Sequence, residues 1–461
     1  MTRSLMVLGC TSTAGKSLVV TALCRWLARQ GVNVVPFKGQ NMSNNARVVA
    51  GGEIGVAQWL QARAAGVEAS VDMNPVLLKP EADTRSQVVV GGVARPDLTA
   101  MPWRERGPHL WPAMEDAYER LAAAHDVVLI EGAGSPAEIN LPDLVNKRVL
   151  AHTGAEALLV VDIDRGGAFA HLVGTWSLVD DATRSRLAGF VLNKFRGDAS
   201  LLEPAPSQVT ERTGMANMGV LPLLDHQLPD EEGGTIRAHP VGDAPTIAIV
   251  RYPYASNLDE WHLLPHAAHV RWAHVPADLD GADLVILPGS KHVAADATWL
   301  RQQRLDTRIE SAVAAGMRVL GVCGGAMLLG TDVADAHGVE GATAGLGLLP
   351  LRTEMALTKT TSPWRARLDK LPAPWADLTG IDLVGYEIRN GVITGECRHA
   401  AGVWGRGPVL ATTVHGLFED PAAVHALTSV TPPPVLDTTF DLLADAVEQH
   451  LDTELIQRLL A

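Results

Sequence analysis

The sequence predicts an α/β protein in two parts, a P-loop domain built on a doubly wound parallel sheet and a second α/β domain. Three observations predict it. Short buried apolar runs alternate with helical stretches. A Gly-Lys-Ser loop stands between the first such run and the first helix. Proline, glycine and acidic residues accumulate between Leu228 and Pro245, dividing the chain into 1–235, a linker over 236–245, and 246–461.

The first element is an apolar run from Leu5 to Leu8. Gly9-Cys10-Thr11-Ser12-Thr13-Ala14-Gly15-Lys16-Ser17 follows and leads into Leu18, Val19, Ala22, Leu23, Trp26 and Leu27 at helical spacing. Strand, loop and helix in this order make a phosphate loop. Backbone N–H groups and the positive helix end face an anion, Lys16 adds a charge, and Ser17 offers a hydroxyl to magnesium. The spacing from Gly9 to Gly15 is one residue longer than the usual pattern, and Cys10 stands where its first glycine would be.

Val32 to Phe37 reads as a second buried strand. It ends at Lys38, which parallel-sheet geometry turns toward the crevice of Lys16. Asp72 to Pro80 is polar and proline-punctuated and reads mostly as loop. Asp72, Lys79 and Gln87 stay open as binding groups or turn residues. Asp126 to Ile130 stops at Glu131, a carboxylate at a strand's carboxyl end and suited to magnesium. Ala157 to Val161 before Asp162, and Phe190 to Leu192 before Asn193, repeat the pattern. Strands near Ile247 to Val250, Leu284 to Leu287 and Val319 to Val322 begin the second alternation.

Composition narrows the function. With 461 residues and 47% apolar content the chain can fill two or three cores. A net charge of -14 argues against nucleic acid as partner, because binders of the phosphate backbone carry a basic excess. No apolar run reaches membrane-spanning length and no signal-type start is present, so a cytoplasmic protein without a membrane partner is expected. The four cysteines, Cys10, Cys24, Cys323 and Cys397, form no C-x-x-C pair and indicate neither a disulfide framework nor zinc.

Gly321-Val322-Cys323-Gly324-Gly325 has the form of a strand turning sharply into a helix, with a cysteine at the bend. The helix N-terminus favours a thiolate there. The N–H of Gly324 and the turn at Pro288-Gly289-Ser290 would serve an oxyanion. A cysteine nucleophile needs a base. Among sixteen histidines His415, after the apolar run from Val409, is the best placed.

Taken together these stretches resemble the cobyric acid synthase family. Its phosphate loop is similar to that of the dethiobiotin synthetase group. The resemblance rests further on Pro36 to Met42, Asp72 to Pro80, Glu131 to Asn140 and Asp162 to Gly167. In the second half Pro288-Gly289-Ser290-Lys291, the Cys323 elbow, Gly385-Tyr386-Glu387-Ile388 and the His415 motif look like a cobyrinate-type class I glutamine amidotransferase, which implies a flavodoxin-like α/β fold for that domain. The resemblance implies that glutamine is hydrolysed at Cys323 with His415 as base, and that the ammonia amidates the b, d, e and g carboxylates of adenosylcobyrinic acid a,c-diamide. ATP would activate each carboxylate as an acyl phosphate, giving adenosylcobyric acid in cobalamin biosynthesis. By motif position Thr13, Gly15, Lys16 and Ser17 would cradle ATP and Asn193 would touch its adenine. Ser17 and Glu131 would hold Mg2+. Asp143 would be a functional acid, and Lys38 would lie near the transferred phosphate or the substrate carboxylate. The corrinoid, ATP and glutamine are the implied partners, and a homo-oligomer stays open.

Three departures accompany the resemblance. Arg389 stands where the family motif ends in histidine, and the stretch after Asn140 is short, which bears on the place of Asp143. Leu417 takes the place of the glutamate that follows the histidine in many class I amidotransferases, so the group that orients His415 is not named by the sequence. Two other readings stand beside this one. They are amidation of another carboxylate, such as the a and c positions of cobyrinic acid or a cell-wall precursor, and a P-loop switch ATPase whose second domain only binds partners.

Overall fold

The structure, a computed structural model, describes residues 2–82, 85–140, 143–229 and 242–461. The linker expected over 236–245 therefore lies mostly outside the described residues, as does the expected break at 235.

Six parallel strands form the first sheet. They lie in the order Ala216–Pro222, Leu187–Phe195, Glu156–Asp162, Arg3–Gly9, Val127–Glu131 and Val34–Phe37. Their near-continuous apolar sequences match a sheet covered on both faces, and Leu5 to Leu8 and Val128 to Ile130 are fully buried. The chain leaves the central strand Arg3–Gly9 in one direction and returns on its other side. The strand ends at Gly9, Glu131 and Asp162 thus converge on a topological switch point, where such sheets bind ligands.

The second sheet has seven strands. Five are parallel, His269–Ala273, Thr246–Val250, Leu284–Leu287, Arg318–Val322 and Val409–Thr412, and Val403–Arg406 and Arg398–Ala400 add an antiparallel edge. A long antiparallel ribbon, Leu351–Arg367 with Asp382–Gly395, lies beside it.

Two expectations are corrected. Asp72 to Pro80 is not mostly loop, because Val76–Ala82 is a strand, parallel to Gln40–Met42 and antiparallel to Arg85–Val90. Burial of Val76, Leu77 and Leu78 outweighs the turn signal of the flanking prolines. The second domain does not keep all of 246–461. Helix Val435–His450 packs Leu436, Phe440, Leu443 and Val447 into the core of helix Lys16–Arg29, around Leu23 and Trp26. Arg25 and Arg29 also pair with Asp441 and Asp445 at 2.8 and 2.6 Å. These partly exposed pairs contribute about 0–1 kcal/mol each, whereas each large apolar side chain contributes about 1.5–3 kcal/mol. Burial therefore holds the tail to the first domain.

Candidate active site

The first candidate site forms where helix Lys16–Arg29 begins. Gly15 has φ 102°, which favours glycine, and a side chain there would run into the amide of Asn193. Asn193 donates to the Ala14 carbonyl at 2.9 Å, and Lys194 donates to the Thr13 carbonyl at 2.8 Å and to Asp162 at 2.9 Å. The end of strand Leu187–Phe195, two places along the sheet from Arg3–Gly9, thus braces the loop. Lys16 is buried and folds back onto the carbonyls of Thr11, Ser12 and Gly134 at 3.1 to 3.3 Å.

Glu131 gathers the remaining groups. Ser17 donates to its Oε1 at 2.8 Å, Lys38 to the same oxygen at 2.7 Å, and Gln61 to Oε2 at 2.5 Å. Burial alone would raise its pKa, but the Lys38 ammonium and these hydrogen bonds hold it below the usual glutamate value. Ser17 Oγ and Glu131 Oε1 are spaced like neighbouring ligands of an octahedral magnesium ion, roughly 2.9 Å apart for bonds of about 2.0–2.1 Å. Among the described residues no group of three His, Cys, Asp or Glu could hold a metal. Two oxygens completed by phosphate and water suit nucleotide-bound magnesium.

Asp143 stands one step back. Its carboxylate accepts from the N–H groups of Val145 and Asn146, at 3.1 and 2.7 Å, and from the Asn146 side chain at 3.0 Å. Asn146 in turn bonds both N–H and C=O of Ala133, beside Glu131. Burial pushes the Asp143 carboxyl up. Asp72 pairs with Arg120 on the surface, whereas Gln87 accepts from Lys359 of the other half at 3.2 Å.

The second candidate site lies at the carboxyl end of Arg318–Val322. Cys323 has φ 52°, strained for a residue with a side chain, at about 1–3 kcal/mol. It caps helix Gly324–Leu329. The bend is tight because a Cβ on Gly324 would sit 2.6 Å from Ser290 N, and one on Gly289 would sit 3.1 Å from His415 Cε1. Gly289, Gly324, Cys323 and His415 therefore meet at one point. Burial pushes the Cys10 thiol up to about 11 and Cys24 higher still, so neither is a ready nucleophile.

His415 has an orienting partner that sequence reasoning missed. Its Nδ1 lies 3.1 Å from Glu260 Oε1, and Glu260 Oε2 accepts from Gly416 N at 3.2 Å. Both side chains are essentially fully buried, at 1% and 0% exposure. Burial would lower the imidazole pKa, yet Glu260 and Cys323 raise it to about 10. The ring also stacks on Tyr386, with centroids 5.3 Å apart and planes 19° apart. Glu387 is engaged elsewhere, accepting from Thr413 at 2.5 Å and from Arg389 at 3.1 Å. Lys79, Lys291, Lys359 and Arg389 line the narrow pocket that opens on Cys323. The signal for Glu260 was two acids between Leu258 and Trp261, but that segment has no periodicity to place it.

The family model of the CobQ/CobB/MinD/ParA nucleotide binding domain matches residues 5–232, and that of the CobB/CobQ-like glutamine amidotransferase domain matches 246–423. A cobyric acid synthase of Variovorax paradoxus is 52% identical over 100% of both chains. The chain belongs to the cobyric acid synthase family. Family members from Polaromonas sp. and Paracidovorax citrulli are 49% and 51% identical, covering 100% and 98% of this chain and 99% and 97% of theirs. The amidotransferase match ends before the tail that packs on the first sheet, in line with the division of cores in this cobyric acid synthase family chain. Among the described residues no helix is long and apolar enough to cross a membrane.

Proposed function

We propose that this chain is a glutamine-hydrolysing, ATP-dependent ligase that amidates the b, d, e and g carboxylates of adenosylcobyrinic acid a,c-diamide in cobalamin biosynthesis. One observation carries the reading. A cysteine on a strained elbow, with a buried His–Glu pair beside it, shares the chain with a phosphate loop whose Ser17, Lys38 and Glu131 meet.

In the second domain His415 takes the thiol proton and Cys323 Sγ attacks the carboxamide carbon of glutamine. The developing oxyanion is held by the N–H groups at Gly289 and Gly324. His415 gives a proton to the departing ammonia, leaving a thioester that water hydrolyses to glutamate. Glu260 keeps the imidazole in the orientation this transfer needs.

In the first domain an oxygen of the substrate carboxylate attacks the γ-phosphorus of ATP, and ADP leaves. Ammonia then attacks the acyl phosphate carbon and phosphate departs, because a bare carboxylate has no adequate leaving group. The backbone from Thr13 to Gly15 and the Lys16 ammonium hold the phosphates, and Lys38 offsets charge on the transferred group. Magnesium, held by Ser17 and Glu131, would supply further charge neutralisation on the phosphates.

Mass spectrometry of adenosylcobyrinic acid a,c-diamide incubated with the protein, magnesium, ATP and glutamine tests this. Each exchange of OH for NH2 lowers the mass by about one unit, and a stepwise series of such losses is expected. Active glutaminase with no shift in this substrate would direct the assignment to another carboxylate.

A further inference from the structure

Asn45, Ala46 and Arg47 belong to the nucleotide-binding half, yet they grip the turn that carries Glu260. The Asn45 side chain accepts from Leu258 N at 3.0 Å, and the Ala46 carbonyl accepts from the Asn257 side chain at 2.9 Å. Asn257 itself is held in the left-handed region, at φ 55°. Arg47 is 2% exposed and pairs with Asp259, the neighbour of Glu260, and with Glu419 at 2.5 Å. Its second nitrogen donates to the Tyr386 hydroxyl at 2.7 Å, and that hydroxyl accepts from Asn257 at 2.9 Å.

Every partner of this guanidinium in the second half leads to His415. Asp259 adjoins the carboxylate that bonds its Nδ1. Tyr386 stacks on the ring and exchanges both backbone hydrogen bonds with it, at 3.1 and 2.9 Å. Glu419 ends the short helix Leu417–Glu419, four residues after His415. The planar fork of an arginine places one nitrogen on Tyr386 and the other on Asp259 and Glu419, a geometry that the single nitrogen of a lysine does not reproduce. The same hairpin, Ala46–Val49 with Gly52–Gly55, also carries Glu53. Glu53 pairs with Lys79 and, at 2.5 Å, with Lys359, both of which line the Cys323 pocket. One arm of the nucleotide-binding half therefore reaches the glutaminase on two sides.

We infer that Arg47 is a positioning residue for glutamine hydrolysis, holding the Asp259–Glu260 turn and Tyr386 so that His415 faces Cys323 only when the two halves are docked. The inference rests on the glutaminase reading above and adds to it the means by which the synthetase half governs ammonia release.

The test uses the full chain with Arg47→Met, Arg47→Lys and the milder Tyr386→Phe. Glutamine hydrolysis is followed at varied glutamine, and ammonia-dependent synthesis is followed beside it. Arg47→Met should lower the glutaminase kcat at least about tenfold with KM within about twofold, while ammonia-dependent synthesis stays within about twofold. Arg47→Lys should recover only part of kcat. Tyr386→Phe, which removes one hydroxyl and keeps the stacked ring, should lower kcat several-fold without moving KM. Unchanged kcat in both Arg47→Met and Tyr386→Phe would overturn the inference, and so would parallel loss of both activities, the mark of a merely structural residue. Absence of glutamine turnover in the unsubstituted protein would overturn the glutaminase reading itself and this inference with it.

Discussion

Glu260 Oε1 lies 3.1 Å from His415 Nδ1 although the two residues are 155 positions apart. The glutamate is supplied by a short turn after the first strand of the second sheet rather than by the residues following the histidine. Leu417, at that expected place, is buried in the core instead.

Replacing Glu260→Gln keeps the size of the side chain and removes the charge. Glutamine hydrolysis should fall by about 10²-fold or more, up to the roughly 10⁴-fold loss that follows when the orienting aspartate of a serine triad is made an amide. Steady-state assay of glutamate release checks this, and near-normal turnover would remove Glu260 from the mechanism.

The same pair makes stability depend on pH. The folded pKa of His415, about 10, stands above its ordinary 6.5. Its stabilising contribution is therefore complete below the unfolded value and is lost as pH rises through the folded one. The difference in unfolding free energy between the unsubstituted chain and Glu260→Gln should be largest near about pH 6 and shrink toward about pH 10. Urea unfolding across that span measures it, and a pH-independent difference would contradict the raised pKa.

The two sites should separate by mutation. Cys323→Ala should abolish glutamine-dependent synthesis and leave ammonia-dependent synthesis, whereas Lys16→Ala should stop both. Equal loss of both activities in a folded Cys323→Ala protein would end the division of labour between the halves.

Glu131 is 1% exposed and is the counter-charge of Lys38, which is 5% exposed. Glu131→Ala should stop synthesis from either nitrogen source and destabilise the chain by about 1–3 kcal/mol, because it removes the buried acceptor to which Ser17, Lys38 and Gln61 donate. Chemical denaturation reads the second effect, and a loss below about 1 kcal/mol would mean that solvent reaches Lys38.

Much of the candidate site is legible in the chain because its signals are local. The phosphate loop is a strand, a glycine turn and a helix start within fifteen residues or so, and the Cys323 elbow is another such unit. Elsewhere packing overrides a local cue. Val76–Ala82 became a strand because Gln40–Met42 and Arg85–Val90 lie beside it, despite its prolines. Asn193 is legible as a polar group at a strand end and Asp143 only through the family resemblance, but not that they brace the loop and Asn146 respectively.

Hydrophobic period and glycine geometry act between near neighbours, so the two α/β halves, the phosphate loop and the cysteine elbow are written in local stretches of the chain. Three-dimensional packing is what brings Glu260 to His415, Arg47 of one half to that turn of the other, and helix Val435–His450 back to the first domain. The reason is physical. Contacts between residues more than a hundred positions apart depend on sheet order and on which apolar faces bury each other, and no local pattern in the chain records that choice.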